Sequence, residues 1–180
     1  MNGVHVFERS LAASHAAEDL PFWRECYDQF FPRPYTMVNH RQDGEHQRAG
    51  IDRSIVLASS KQILIDEKVR WRQSDGRVFD DIALEFESNN VKRTPGWVCK
   101  PLRADFIAYA IAPLGRCFLL PVLSLQLAWQ RHSAAWLAKY RTISAPNVGY
   151  DTLSLCIPVA TLFPALGGAL RAQFVPCEAA

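Results

Sequence analysis

The sequence predicts an α/β fold, a sheet with helices packed on its sides. Two kinds of periodicity carry that expectation. Residues Gln62 to Trp71 and Asp80 to Ser88 alternate apolar and polar side chains with a period of two, as half-buried strands do. Apolar residues at 20, 22, 23, 26, 27, 30 and 31 instead recur at helical spacing. The chain has 180 residues, 49% of them hydrophobic and 21% charged, which suits one core of useful size. A single domain over residues 1–180 is expected, with residues 1–12 as a flexible arm.

The first helix is predicted over Leu20 to Phe31, with Asp19 as N-cap and Pro32 and Pro34 ending it. Residues 33 to 48 are polar and read as a surface connection. Ala49 to Leu57 reads as a strand that carries Asp52 in its middle. A turn at Ala58-Ser59-Ser60 then makes an antiparallel hairpin with Gln62 to Trp71. Along that second strand Ile63, Ile65, Glu67 and Val69 take one face, and Leu64, Asp66, Lys68 and Arg70 the other. After a turn at Ser74-Asp75-Gly76, Asp80 to Ser88 is a third strand. It places Glu85 and Glu87 on one face. Asp105 to Ile111 and Arg116 to Leu120 are the fourth and fifth strands. Pro121 opens a helix that runs to about Tyr140, and Thr152 to Ile157 is a short strand. Pro158 opens a last helix that Gly167-Gly168 ends.

No apolar run is long enough to span a bilayer, and no secretory leader is visible, so a cytoplasmic protein is expected. The five cysteines are odd in number and form no C-x-x-C pair, which fits reduced thiols. His5, His40, His46 and His132 show no ligand spacing with one another or with a cysteine, so no zinc site is expected. Phosphate-binding loops, dinucleotide fingerprints and the esterase elbow are missing from the sequence.

The chemistry concentrates at Gly50-Ile51-Asp52-Arg53 and, fourteen residues after Asp52, at Asp66-Glu67-Lys68. Asp is disfavoured inside strands, and a buried carboxylate needs a partner or a metal. Asp52 and Asp66 on adjacent hairpin strands would make an oxygen cradle for Mg²⁺ or Mn²⁺. Glu67 would join as a metal ligand through its backbone carbonyl, since its side chain points to the other face. Lys68 would orient or help deprotonate a water, while the metal stabilises charge on a phosphate. The competing reading is an ordinary ion pair of Asp66 or Asp52 with Lys68 or Arg53.

Around this pocket Arg53, Arg70, Arg72 and Lys100 are the expected nucleic-acid contacts. Lys68, Arg70 and Arg72 would share a face with Asp66, and Lys92, Arg93 and Arg103 supply further positive charge. The net charge of +2 neither announces nor excludes a polyanion partner. Glu85 and Glu87 are candidates for a second metal or its water, and otherwise a solvated stripe. Gln47 could reach a phosphate, though polar turn residues are ordinary. Trp71, between two arginines, could stack on a base; Trp97, Trp129 and Trp136 read as core.

These residues resemble the PD-(D/E)XK nuclease superfamily. Asp52 matches the first acid and Asp66-Glu67-Lys68 the (D/E)-x-K element. The segments Ala-Gly-Ile-Asp-Arg and Ile-Asp-Glu-Lys are similar to those of a group of phage and bacterial proteins with this pattern. Ile51 stands where the motif is usually written with proline, and Glu18, Asp19 and Glu25 compete for the acid that some members supply from the first helix. The resemblance implies the restriction-endonuclease-like fold, a central mixed sheet of about five to six strands flanked by helices. It implies Mg²⁺- or Mn²⁺-dependent hydrolysis of phosphodiesters, with DNA the expected substrate and RNA left open, and with Asp52, Asp66 and Lys68 catalytic. A double-strand cutter of this kind would commonly act as a homodimer. The alternative is a catalytically silent binding module or phage-encoded inhibitor, which grips a nucleic acid or a host defence complex.

Overall fold

The structure, a computed structural model, describes residues 20–40, 43–72 and 75–178. The expectations for residues 1–12, His5, Glu18, Asp19 and Ser74 lie outside the described residues. In chain order the elements are α1 (Phe22–Phe30), β1 (Tyr35–Asn39), α2 (Gly44–Arg48), β2 (Arg53–Leu57), β3 (Gln62–Arg70), β4 (Asp81–Asn89), β5 (Thr94–Pro95) and β6 (Phe106–Ile111). After a 3-10 turn come β7 (Arg116–Pro121), α3 (Val122–Lys139), β8 (Thr142–Pro146), β9 (Asp151–Pro158), α4 (Val159–Leu166) and β10 (Leu170–Gln173).

The described chain gathers into two compact units. The first takes residues 20–80, Leu102–Val122 and the residues from Gly168 onward. Its sheet is mixed and six-stranded, in the order β1-β2-β3-β6-β7-β10. Only β3 and β6 pair in parallel, with Asp66 opposite Ile107 and Lys68 opposite Tyr109. The other neighbours are antiparallel.

Helix α1 covers one face of this sheet, and the sequence shows why. Its apolar stripe buries Phe22, Trp23, Cys26 and Tyr27 against Ile55, Ile63 and Ile65 of the hairpin. Ala108 and Ala110 of β6 leave room for those rings. Each large side chain buried this way contributes about 1.5–3 kcal/mol relative to exposure. Phe22 stacks on Phe174, just beyond β10, with ring centroids 4.2 Å apart. Gln29 of α1 blunts the open edge of β10. Its side-chain amide donates to the Gln173 carbonyl at 2.7 Å, and its carbonyl accepts the Gln173 N–H at 3.1 Å.

The second unit takes Asp81–Pro101 and Leu123–Gly167 among its described residues. Its sheet is four-stranded and antiparallel, in the order β5-β4-β9-β8. Ile82 and Leu84 of β4 pair with Ile157 and Leu155 of β9, and all four are buried. Trp129 of α3 stacks on Phe86. Gly96 lies so close to β4 that a Cβ there would meet the Glu85 carbonyl oxygen at 2.3 Å.

Several expectations need correction. The expected third strand, β4, belongs to the second sheet, and β6 takes the place beside β3. Alternation reveals a strand but not its neighbour. The connection 33–48 contains β1 and α2, and β8 and β10 were not anticipated. β1 and β8 are largely exposed and carry too few apolar residues to show a period. The strand drawn from Ala49 starts only at Arg53, because Gly50 turns the backbone at φ +70°. Asp52 therefore sits at the mouth of β2 rather than mid-strand. A bulge between Glu85 and Glu87 breaks the expected common face.

Candidate functional site

Parity along the hairpin sorts its side chains onto two faces. Arg53, Ile55, Ile63, Ile65 and Glu67 turn toward α1. Asp52, Ser54, Asp66, Lys68 and Arg70 turn to the opposite face. The site is built where β2 gives way to the turn through Gly50, at the last rung shared with β3.

Asp52 is half-buried and tied at both backbone ends. Its N–H donates to Ile65 O at 3.0 Å, and its carbonyl accepts His40 N–H at 2.9 Å. Its side chain reaches beyond the end of the ladder, where Oδ2 accepts the Glu67 N–H at 2.7 Å. The peptide N–H and C=O of a strand residue point to the same side, so the Glu67 carbonyl also faces this edge. Asp66 stands next to Asp52 on the same face and is 3% exposed. Its Oδ1 accepts a hydrogen bond from Lys68 Nζ.

Burial raises the Asp66 carboxyl to about 7, against the pull of the Lys68 ammonium. The neighbouring Asp52 carboxyl raises it further, by repelling its charge and bonding its neutral form. Two crowded carboxyls joined by a strand-edge carbonyl are an all-oxygen donor set. That set fits a hard divalent cation such as Mg²⁺ or Mn²⁺, whose charge would relieve the repulsion.

The remaining candidates divide. The Glu67 side chain is no metal ligand: it is buried on the α1 face, where Arg53 holds it from Nε at 2.6 Å and Nη2 at 3.1 Å. Tyr27 Oη donates to the same carboxylate at 2.5 Å. Burial raises the Glu67 carboxyl, and Arg53 opposes that shift. Arg53 is likewise no phosphate contact, being 5% exposed and committed to Glu67. Arg70 is half-buried on the Asp66 face. Arg72 lies past the end of β3, so it does not share that face by alternation, and its Nε donates to Glu178 at 3.0 Å. Lys100 and Lys92 are exposed residues of the second unit. Glu87 there pairs with Arg93 at 3.2 Å, and Arg103 of the first unit pairs with Glu45 at 3.5 Å. The side chain of Gln47 lies outside the described ones. Trp97, Trp129 and Trp136 are buried and Trp71 is half-exposed.

One cluster escaped the reading of the sequence. His40, Asp43 and His46 bring one ligand atom each to within 4.8 Å of one another. The two imidazoles lie face to face, centroids 4.0 Å apart and 7° from parallel. His40 Nε2 lies 2.6 Å from Ser54 Oγ, and His46 Nδ1 lies 2.7 Å from Asp43 Oδ2. Burial, and then the neighbouring His46, hold the His40 imidazole below its usual range. The signal was present as His-x-x-Asp-x-x-His, a spacing that sends ligands together only when a tight turn and one helical turn follow each other.

No protein-family model, no curated protein and no solved structure matches the chain.

Proposed function

We propose that the chain is a metal-dependent nuclease of the PD-(D/E)XK type, on a restriction-endonuclease-like arrangement, acting on phosphodiester bonds in DNA or, as second choice, RNA. One observation carries the reading: Asp52, Asp66 and Lys68 share one face of an antiparallel hairpin at the point where its ladder ends, with the Glu67 carbonyl on the same edge. Bound Mg²⁺ or Mn²⁺ would supply Lewis-acid stabilisation of charge developing on the phosphate. Asp52 and Asp66 would hold it, with the Glu67 carbonyl.

Lys68 does the remaining work. Its ammonium, a third exposed, lies beside Asp66 and can orient an attacking water. Asp66 holds that ammonium in place, and Arg70 adds positive charge on the same face. The odd, unpaired cysteines fit a cytoplasmic setting, and a homodimer would supply two sites for a double-strand cut.

The second reading is a silent module that grips a nucleic acid or a protein complex. It is favoured by the direct Lys68–Asp66 pair, which gives each side chain a partner of opposite charge without a metal. Supercoiled and linear DNA incubated with Mg²⁺ or Mn²⁺ separate the two. Nicking by the wild type that disappears in Asp66→Ala and Lys68→Ala supports the nuclease. No cleavage, together with no calorimetric Mn²⁺ binding, supports the binding module.

A further inference from the structure

We propose that His40, Asp43 and His46 form a second cation site, selective for a borderline transition metal such as Zn²⁺ or Co²⁺, that clamps the connection leading into Asp52. The inference does not depend on nuclease activity; it rests on the three side chains and their supports.

The donor set is two imidazoles and one carboxylate. Nitrogen-rich sets of this kind favour Zn²⁺, Co²⁺ or Ni²⁺ over Mg²⁺, which takes oxygen. Ligands on a tetrahedral ion with bonds of ~2.1 Å stand roughly 3.4 Å apart. The three ligand atoms here lie within 4.8 Å of one another, and an ion in the plane of both rings would require one imidazole to turn out of the stack. One of its edges is already short, His46 Nδ1 to Asp43 Oδ2 at 2.7 Å. The proton shared across that edge is the one an ion would displace, since metal binding at such groups releases protons.

The supports also fit. A metal-bound imidazole commonly gives its other ring nitrogen to a fixed partner. His40 Nε2 is held by Ser54 Oγ, which is fully buried and takes a second hydrogen bond from Gln62 Nε2 at 3.0 Å. In the tautomer that donates Nε2–H to Ser54, His40 Nδ1 carries the lone pair for the ion. Asp43 is steadied through Oδ1, which accepts the backbone N–H groups of Glu45 at 3.0 Å and His46 at 3.2 Å. Its Oδ2 is directed to His46.

The position gives the site a purpose. His40 N–H bonds the Asp52 carbonyl at 2.9 Å, and the Ile51 N–H bonds the His46 carbonyl at 3.0 Å. An ion joining His40 to His46 would pin both strands of backbone that deliver Asp52.

The test uses the full chain without a histidine tag, stripped with a chelator. Zn²⁺ is titrated by calorimetry and Co²⁺ by visible absorption. One saturable ion that depends on the histidines is expected, besides any held by Asp52 and Asp66, with a rise in melting temperature on Zn²⁺ addition. Affinity should fall about 100-fold or more in His40→Gln and in His46→Gln. Asp52→Asn, Asp66→Asn and His132→Gln should retain the histidine-dependent ion with wild-type affinity. His46 is only partly buried, so His46→Gln keeps the test decisive even if His40→Gln misfolds by circular dichroism. No saturable binding overturns the proposal. So does binding unchanged in both histidine variants, or lost in Asp52→Asn instead, which would place the ion on the carboxylates.

Discussion

Asp52 and Glu67 meet across the end of the hairpin ladder, the Asp52 carboxylate accepting the Glu67 N–H at 2.7 Å. The same Glu67 sends its side chain through to the α1 face and binds Arg53 there. One residue thus joins the polar edge of the sheet to its buried interior. Its backbone serves the candidate site and its carboxylate serves stability.

That division predicts separable phenotypes. Arg53→Met should destabilise the protein by about 3–5 kcal/mol, because it strands a buried carboxylate. The double variant Arg53→Met/Glu67→Met should recover most of that loss, since apolar pairs often replace buried ion pairs without penalty. Urea denaturation of both variants measures it. A double variant as unstable as the single one would refute the account.

Tyr27→Phe removes one donor from Glu67 while Arg53 stays. The expected cost is about 1.5–3 kcal/mol, the range for hydrogen bonds to charged groups. Equal denaturation midpoints for variant and wild type would show that the phenol contributes nothing.

Asp66 gives a pH signature. Its folded value of about 7 lies above the ordinary 3.8, so the folded state binds this proton more tightly than the unfolded chain. Stability from this group is complete below about pH 4 and is lost as pH rises through about 7. Asp66→Asn should flatten that part of the profile. At pH 8, Mg²⁺ should raise the melting temperature of the wild type but not of Asp66→Asn. A wild-type profile identical to that of the variant would refute the assignment.

Gly115→Ala should disturb the far side of the same sheet. Gly115 has φ +60°, and a Cβ there would lie 2.2 Å from the Phe174 carbonyl oxygen. The Phe174 N–H donates to the Gly115 carbonyl at 2.9 Å, so relief of the clash breaks the approach of β10. A loss of about 1–3 kcal/mol is expected from such strain. Thermal melts compare it with Gly149→Ala, where φ is +78° but a Cβ meets nothing. Gly149→Ala should cost less.

How much of this was legible depends on the range of each signal. The alternation of Ile63, Ile65 and Glu67 against Asp66 and Lys68 is a local pattern, and the faces follow from it. Arg53 was read as a phosphate contact because its partner is a cross-strand diagonal. Only the register Arg53 opposite Ile65 brings it beside Glu67. The loss of β4 to another sheet and the gain of β6 involve pairings that no window of sequence displays. His40 and His46 looked unrelated because Asp43 and the short α2 that carries His46 had been read as plain connection.

The stack of Phe22 on Phe174 has a consequence for how the protein is made. The helix that seals the sheet leaves the ribosome early, while the strand and ring that complete its seat are synthesised late. Until then α1 holds an aromatic face with part of its cover missing, and β7 shows an unpaired edge. The hairpin bearing Asp52 and Asp66 can close by itself, but its apolar side must wait. Pairings so distant in sequence favour slow maturation and a period of vulnerability to aggregation during synthesis.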